Sequence, residues 1–150
     1  MQDKTIAGFI AGLVGGIAMN IKDYITVFLL NWEEELYFEW GAMMIYGRFP
    51  ENLSEVILAQ LAHLFFAGLL GGLFSVLIIR LDTKRYLIKG FIYGTAAWFI
   101  IYAISILLKV PNLMEHTFNA TLSNLSGAII YGLVTAESFK RLLNLNLEEK

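Results

Sequence analysis

The sequence predicts an all-α fold: an integral membrane bundle of four transmembrane helices, with a short interfacial helix in the first outer loop. Four long apolar segments carry this prediction, at about 6–30, 56–79, 90–108 and 118–136. A helix rises about 1.5 Å per residue, so roughly 20 apolar residues cross a hydrocarbon core of about 30 Å. Composition agrees, because 57% of residues are hydrophobic and 16% are charged, against about a quarter charged in soluble domains. We therefore expect a single transmembrane domain over residues 1–150.

The first apolar segment, 6–30, follows Lys4 as the apolar part of a signal peptide would. No small-x-small cleavage site follows it, so we expect it to be retained as the first span. Gly8, Gly12 and Gly16 are spaced four apart and share one helix face. In lipid, helices associate by close backbone approach, which small residues permit. The spacing therefore predicts that this face packs against another helix.

The loop that follows, 31–55, carries six glutamates against one arginine. Within it, Leu36, Trp40, Met43 and Met44 fall at i, i+4, i+7 and i+8, a pattern typical of a short helix lying in the membrane interface. A glycine and a proline follow and are expected to end this helix. The glutamates form either a solvated acidic rim or a mouth that attracts cations.

Small residues also mark the other three segments, and a capping box formed by Asn52 and Glu55 begins the first of them. Such stripes predict a tight bundle within one chain, and they can equally face a second protomer. Because four spans are few to enclose a pathway, we expect a homo-oligomer in the lipid bilayer. Nucleic acid is not an expected partner, since the net charge is only −2. The stripes comprise Gly68, Gly71 and Ser75, then Gly90, Gly94 and Ala97, then Ser123, Gly127 and Gly132.

The charges of the loops predict the orientation. The connection 80–89 carries Arg80, Lys84, Arg85 and Lys89 against a single acid, whereas the first loop is acidic. Lysine and arginine are retained on the cytoplasmic side, so the basic connection lies inside and the acidic loop outside. An even number of spans then places both termini in the cytoplasm. We expect a multi-pass protein of the bacterial cytoplasmic membrane.

Polar side chains within the spans predict a layer in the outer half of the bundle, where Asp23 and His63 would be the titratable pair of a pocket open to the outside. Ionisable residues inside a span usually face a partner, a cavity or an ion path. Lys22 is expected to point away from this layer and to extend outward to the interface. The structural alternative is a set of interhelical hydrogen bonds worth about 1 kcal/mol each. The candidate ligand-binding residues are Asn20, Asp23, Gln60, His63, Tyr102, Asn119 and Ser123.

The sequence carries no established catalytic or metal-binding signature. It contains no HExxH, GxSxG, Walker A or GxGxxG pattern, and its two histidines are far apart. With no cysteine there is no thiolate nucleophile, iron–sulfur cluster or cysteine zinc site. We therefore predict no catalytic residue, no metal site and no cofactor, and a protein that is not an enzyme.

The layout resembles small bacterial four-span inner-membrane proteins of unknown function, of the YagU-like kind. The resemblance lies in the glycine-rich first span from Gly8 to Lys22 and in the second span at His63-Leu64-Phe65-Phe66-Ala67-Gly68. The resemblance covers about half of the chain. The resemblance implies the same topology, and it supplies no catalytic residues to carry over.

Together these features predict a small non-enzymatic membrane protein that acts in transport, as a channel or carrier, or that binds a small ligand or ion through the polar pocket. The alternative is a membrane adaptor that docks other membrane proteins through its glycine stripes. An intramembrane enzyme, using acid–base chemistry of Asp23 and His63, is the third interpretation. A hydrated cavity would favour the first, and an exposed small-residue face would favour the second.

Overall fold

The computed structural model describes residues 3–31, 36–81, 84–110 and 117–143, and these residues form five α-helices and no strand. The predicted all-α fold is therefore confirmed. The acidic residues 33–35 and His116, the second of the two histidines, lie outside the described residues. The helices are α1 Lys4–Phe28, α2 Tyr37–Tyr46, α3 Leu53–Leu81, α4 Tyr86–Leu107 and α5 Phe118–Leu142.

Three of these helices, α1, α3 and α4, are long and apolar enough to cross a membrane, which indicates a membrane protein. The helix ends differ slightly from the predicted spans. α1 ends at Phe28, two residues before the predicted limit, whereas α3 begins three residues earlier and ends two residues later than expected. α5 continues past residue 136 to Leu142. These extensions carry polar and basic side chains that a hydropathy pattern alone excludes.

Local capping explains where the helices begin and end. Asp3 accepts hydrogen bonds from the N–H groups of Thr5 (2.9 Å) and Ile6 (3.3 Å) at the start of α1. The predicted cap of α3 is also present, since Asn52 Oδ1 accepts from the N–H of Glu55 at 3.0 Å. The predicted short helix is α2, and Gly47 ends it in the left-handed region at φ 69°, which glycine adopts without steric cost.

The four long helices form a row. α1 packs against α3 on one side and against α5 on the other, and α4 packs against the far side of α5. α2 packs on α3. α3 and α4, at the two ends of the row, barely contact each other. The helices are thus closely packed in the pairs α3–α1, α1–α5 and α5–α4, and a gap separates α3 from α4.

Glycines allow close approach in the α1–α3 and α4–α5 pairs. A Cβ at Gly12 would lie 2.8 Å from the Cα of Gly71, and one at Gly90 would lie 2.5 Å from the carbonyl oxygen of Gly132. The stripe of the first span is therefore taken up inside the chain by α3, and it does not support an interface between protomers. The homo-oligomer stays a prediction without that support.

The half of the bundle that contains Lys4 and Leu142, called here the terminal half, holds a continuous apolar core. The Phe74 ring packs against Tyr93, with centroids 5.2 Å apart, and meets Phe139 edge-on at 6.2 Å. The opposite half is called the α2 half. The buried residues of the terminal core are Ala7, Ala11, Phe74, Ile78, Tyr86, Ala136 and Phe139.

Candidate functional site

Polar side chains from four helices meet in the α2 half, in what we call the polar cluster: Asn20, Lys22 and Asp23 of α1, Tyr37 of α2, His63 of α3, and Ser123 and Asn124 of α5. Asp23 is only 1% exposed, and its Oδ2 accepts the backbone N–H of Tyr37 at 2.8 Å. That N–H is one of the groups that the start of a helix leaves unpaired, and negative charge is favourable there. Asp23 therefore fixes the N-terminus of α2 to α1.

Tyr37 joins α2 to the rest of the cluster. Its ring stacks on the imidazole of His63, with centroids 5.7 Å apart and planes 4° from parallel. Its hydroxyl donates to the carbonyl oxygen of Asn124 at 3.2 Å, and Lys22 Nζ lies 5.9 Å from the ring centroid. The short helix is thus held to α1, α3 and α5 by one side chain and its own N–H.

Lys22 corrects one expectation. Its Nζ donates to the carbonyl oxygen of Ser123 at 2.7 Å and also to Ser123 Oγ, so the side chain turns to α5 and the prediction that it extends outward is wrong. The physical reason is that α5 packs directly beside α1. Two oxygens of Ser123 on the neighbouring helix accept hydrogen bonds from the ammonium group. The side chain therefore does not have to reach the interface to find hydrogen-bond partners.

A side-chain contact also joins α1 to α3. Asn20 Nδ2 lies 3.4 Å from His63 Nδ1. An amide N–H can only donate, so this contact requires an unprotonated Nδ1 on the imidazole. His63 is thereby contacted from two sides, by an amide and by the Tyr37 ring.

The structure brings four of the predicted site residues together: Asn20, Asp23, His63 and Ser123 are all members of the polar cluster. The other three lie elsewhere. Gln60 is half-buried one turn before His63, and its buried Oε1 has no hydrogen-bond partner among the described residues. Tyr102 stacks on Trp40 of α2, and Asn119 is exposed near the start of α5. Their role in binding a ligand stays a prediction.

Beside the polar cluster lies a cavity of about 440 Å³, bounded by α2, α3, α4 and α5, with Met19 of α1 at one side. This volume is within the range of about 300–1,000 Å³ that small-molecule pockets occupy. Its walls are almost entirely apolar and aromatic, and three members of the polar cluster, Tyr37, His63 and Asn124, lie at its edge. The aromatic wall consists of Tyr37, Trp40, Phe66, Trp98, Tyr102 and Tyr131.

Ring contacts join α2, which covers this cavity, to the wall formed by α4. The Trp40 ring lies 5.2 Å from the Tyr102 ring, which in turn lies 5.0 Å from Trp98. Aromatic pairs at such distances contribute about 0.5–1.5 kcal/mol beyond their area burial. α2 therefore bridges the gap between α3 and α4 where those two helices do not pack.

Trp40, Trp98 and Tyr131 line the cavity, although they were not predicted as site residues. Trp98 and Tyr102 are one turn apart on α4, and Gly94 one turn before them also lines the cavity. That aromatic spacing was the available signal. The same spacing is ordinary for a helix face that packs against a neighbour. These residues line a cavity because α3 is separated from α4.

Two further contacts that involve charged side chains stabilise α2 at its two ends. The Glu39 carboxylate accepts the N–H of Leu36 at 2.6 Å, and burial raises the pKa of this carboxyl above its usual value, an effect that the hydrogen bond partly offsets. Arg48 donates to Glu55 at 2.8 Å and lies over the Tyr46 ring at 5.6 Å. The first contact stabilises the start of α2, and the second ties its end to α3.

Comparison of the chain with models of protein families, with curated proteins and with solved structures finds no match. Among the described residues, no three His, Asp or Glu side chains are placed to hold a metal ion. The fold and the site therefore define only a class: a helical membrane protein with a closed polar cluster and an adjoining aromatic cavity.

Proposed function

We propose that this protein is a small, non-enzymatic integral membrane protein that binds an apolar small molecule in the cavity between α3 and α4. The observation that carries the proposal is the cavity itself, about 440 Å³ with aromatic walls, in a chain whose helices otherwise approach to backbone contact. Cavities of this size cost packing energy, so an occupant that restores the missing contacts is favoured.

We further propose that α5 is a fourth span over residues 118–136. α5 has 25 residues, about 37 Å of helix, and it packs between α1 and α4. Its polar residue Asn119 is exposed in the first turn. Three others, Ser123, Asn124 and Thr135, are buried. Because those groups face protein rather than lipid, the low hydropathy of α5 is compatible with a position in the membrane.

The orientation follows from charge. Arg80, Lys84 and Arg85 at the turn between α3 and α4, with Lys140 and Arg141 at the end of α5, lie at the terminal half. The positive-inside rule places this half in the cytoplasm, with both termini. α2, an amphipathic helix at the opposite end, then lies at the outer interface. We propose the bacterial cytoplasmic membrane as the location.

The polar cluster supports ligand binding better than ion flux. Asp23 accepts from the N–H of Tyr37 at 2.8 Å. The Lys22 ammonium and the Tyr37 hydroxyl donate to carbonyl oxygens of α5 at 2.7 and 3.2 Å. An ion path along these groups would require α2 to detach. The adaptor hypothesis relied on an exposed small-residue face, and the glycines of α1, α3, α4 and α5 are instead buried against neighbouring helices.

Photolabelling tests the proposed function. A small aryl diazirine is added to proteoliposomes, activated by light, and its adducts are mapped by mass spectrometry. We expect adducts concentrated on the cavity walls around Ala62 and Ala97. Ala97→Phe places a phenyl ring inside the cavity and should remove most of those adducts.

Ala96→Phe is the matched control, because Ala96 is the exposed neighbour of Ala97 on the same helix. The same side chain on the lipid-facing surface should leave the cavity adducts unchanged. Ala62→Phe fills the cavity from α3 and serves if Ala97→Phe does not fold. Adducts spread evenly over the exposed faces, with no effect of either cavity variant in folded protein, would contradict the proposed function.

A further inference from the structure

The cavity opens sideways, toward the surroundings of the bundle. α3 and α4 barely touch along its length, and the apolar residues at its rim are about half exposed: Phe66 is 47%, Ile104 45% and Met44 54% exposed. These residues continue directly into the exposed apolar surfaces of α3 and α4, for example Leu69 and Ile100. In a membrane such surfaces contact lipid, so the opening faces hydrocarbon.

The cavity is covered by side-chain contacts at both of its ends. Toward the terminal half, the hydroxyl of Tyr93 donates to the carbonyl oxygen of Leu70 at 2.6 Å and so joins α4 to α3. The Phe74 ring packs against Tyr93 directly behind this bond. At the opposite end α2 covers the gap through the stacked rings of Trp40 and Tyr102. Side-chain contacts therefore cover the gap at both of its ends.

The cavity is elongated. Its walls run from Ala62 to Leu70 on α3 and from Gly94 to Ile104 on α4, which corresponds to about 12–15 Å along the helix axes. Such a space, parallel to the helices and therefore to the chains of a bilayer, fits a hydrocarbon chain better than a compact molecule.

We infer that the occupant is a hydrocarbon chain of a bilayer phospholipid, which enters through the gap between α3 and α4 while its headgroup stays at the interface beside α2. This inference rests on the proposed function and names its ligand. A free fatty acid shares the same chain chemistry. We favour the phospholipid because the exposed apolar rim of the opening faces the bilayer.

The test compares three photoreactive probes in the same proteoliposomes: the aryl diazirine, a phosphatidylcholine with a diazirine near the end of one acyl chain, and a fatty acid with the same diazirine. For wild-type protein we expect the phospholipid probe to label the cavity walls around Ala62 and Ala97. Ala97→Phe should reduce this labelling at least fivefold relative to labelling of the exposed residues, and Ala96→Phe should leave it unchanged.

The outcomes separate the inference from the proposed function. Labelling of the cavity by the aryl diazirine but not by either chain probe would overturn the inference and leave the proposed function intact. Labelling by the fatty acid alone would assign the site to free fatty acid and overturn the choice of phospholipid. Absence of cavity labelling by all three probes, in protein whose helical circular dichroism is intact, would overturn both.

Discussion

The two halves of the bundle differ in how closely their helices pack. In the terminal half, glycines bring helix backbones into contact and large rings such as Phe74 and Phe139 fill the remaining core. In the α2 half, the same helices diverge at α3 and α4, and a short separate helix held by polar contacts covers the opening. The terminal half is built for a single close-packed arrangement, whereas the α2 half leaves space.

This difference has an energetic consequence. Close backbone contacts cannot yield without moving whole helices, so the terminal half determines the stability of the bundle. The covering helix α2 depends on a few hydrogen bonds and stacked rings, each worth about 1 kcal/mol. We therefore expect substitutions in the two halves to have separable effects, on global unfolding in one case and on α2 and the cavity in the other.

The largest effect is expected at Gly71. A Cβ at this position would lie 2.6 Å from the backbone nitrogen of Gly12, whereas one at Gly72 would meet nothing closer than Thr5, at 3.9 Å. Gly71→Ala should lower stability by about 1–3 kcal/mol, because α1 and α3 must separate. Gly72→Ala is the adjacent control and should be neutral or slightly stabilising, because alanine favours helix. Thermal unfolding in mild detergent measures both, and equal midpoints for the two variants would refute the close α1–α3 contact.

A smaller and local effect is expected at Asp23. Asp23→Ala removes the acceptor for the N–H of Tyr37, and leaving a buried donor without its partner costs about 1–3 kcal/mol. Amide hydrogen exchange within 37–46 should accelerate about 10- to 100-fold, while exchange in the terminal half stays unchanged. Asp23→Asn keeps an oxygen acceptor and should have a smaller effect. Uniform acceleration over all helices would show that the two halves are not separable.

The smallest effect is expected from the titration of Glu39. Burial raises the pKa of this carboxyl in the folded protein, so the folded state binds a proton more readily than the unfolded state. Stability of the docked α2 should therefore increase as the pH falls from neutral toward the ordinary glutamate value of 4.5. Trp40 emission during thermal unfolding follows α2 in proteins that also carry Trp32→Phe and Trp98→Phe. In that background, the difference between Glu39 and Glu39→Gln isolates this contribution from other titrating groups. A wild-type minus variant difference that is constant with pH would contradict it.

The sequence was sufficient for the helices because apolar periodicity, glycine spacing and caps are local properties. It identified α2 from Leu36, Trp40 and Met43. It grouped Asn20, Asp23, His63 and Ser123 by depth and helix face, together with Gln60, Tyr102 and Asn119, which the structure places elsewhere. It could not show that Lys22 turns to Ser123, because that contact depends on which helix lies beside α1. The cavity was missed for the same reason: whether Trp98 and Tyr102 pack against α3 or line a space depends on how far α3 lies from α4.

The most direct test of the central claim, that the α2 half contains a bilayer-accessible cavity, is fluorescence quenching of Trp98. In a protein with Trp32→Phe and Trp40→Phe, Trp98 is the only tryptophan, and it lies on the cavity wall. We predict that phospholipids brominated on the acyl chain quench its emission, that adding Ala97→Phe protects it, and that adding Ala96→Phe does not. Quenching that is the same in all three proteins, or absent from all three, would contradict the account.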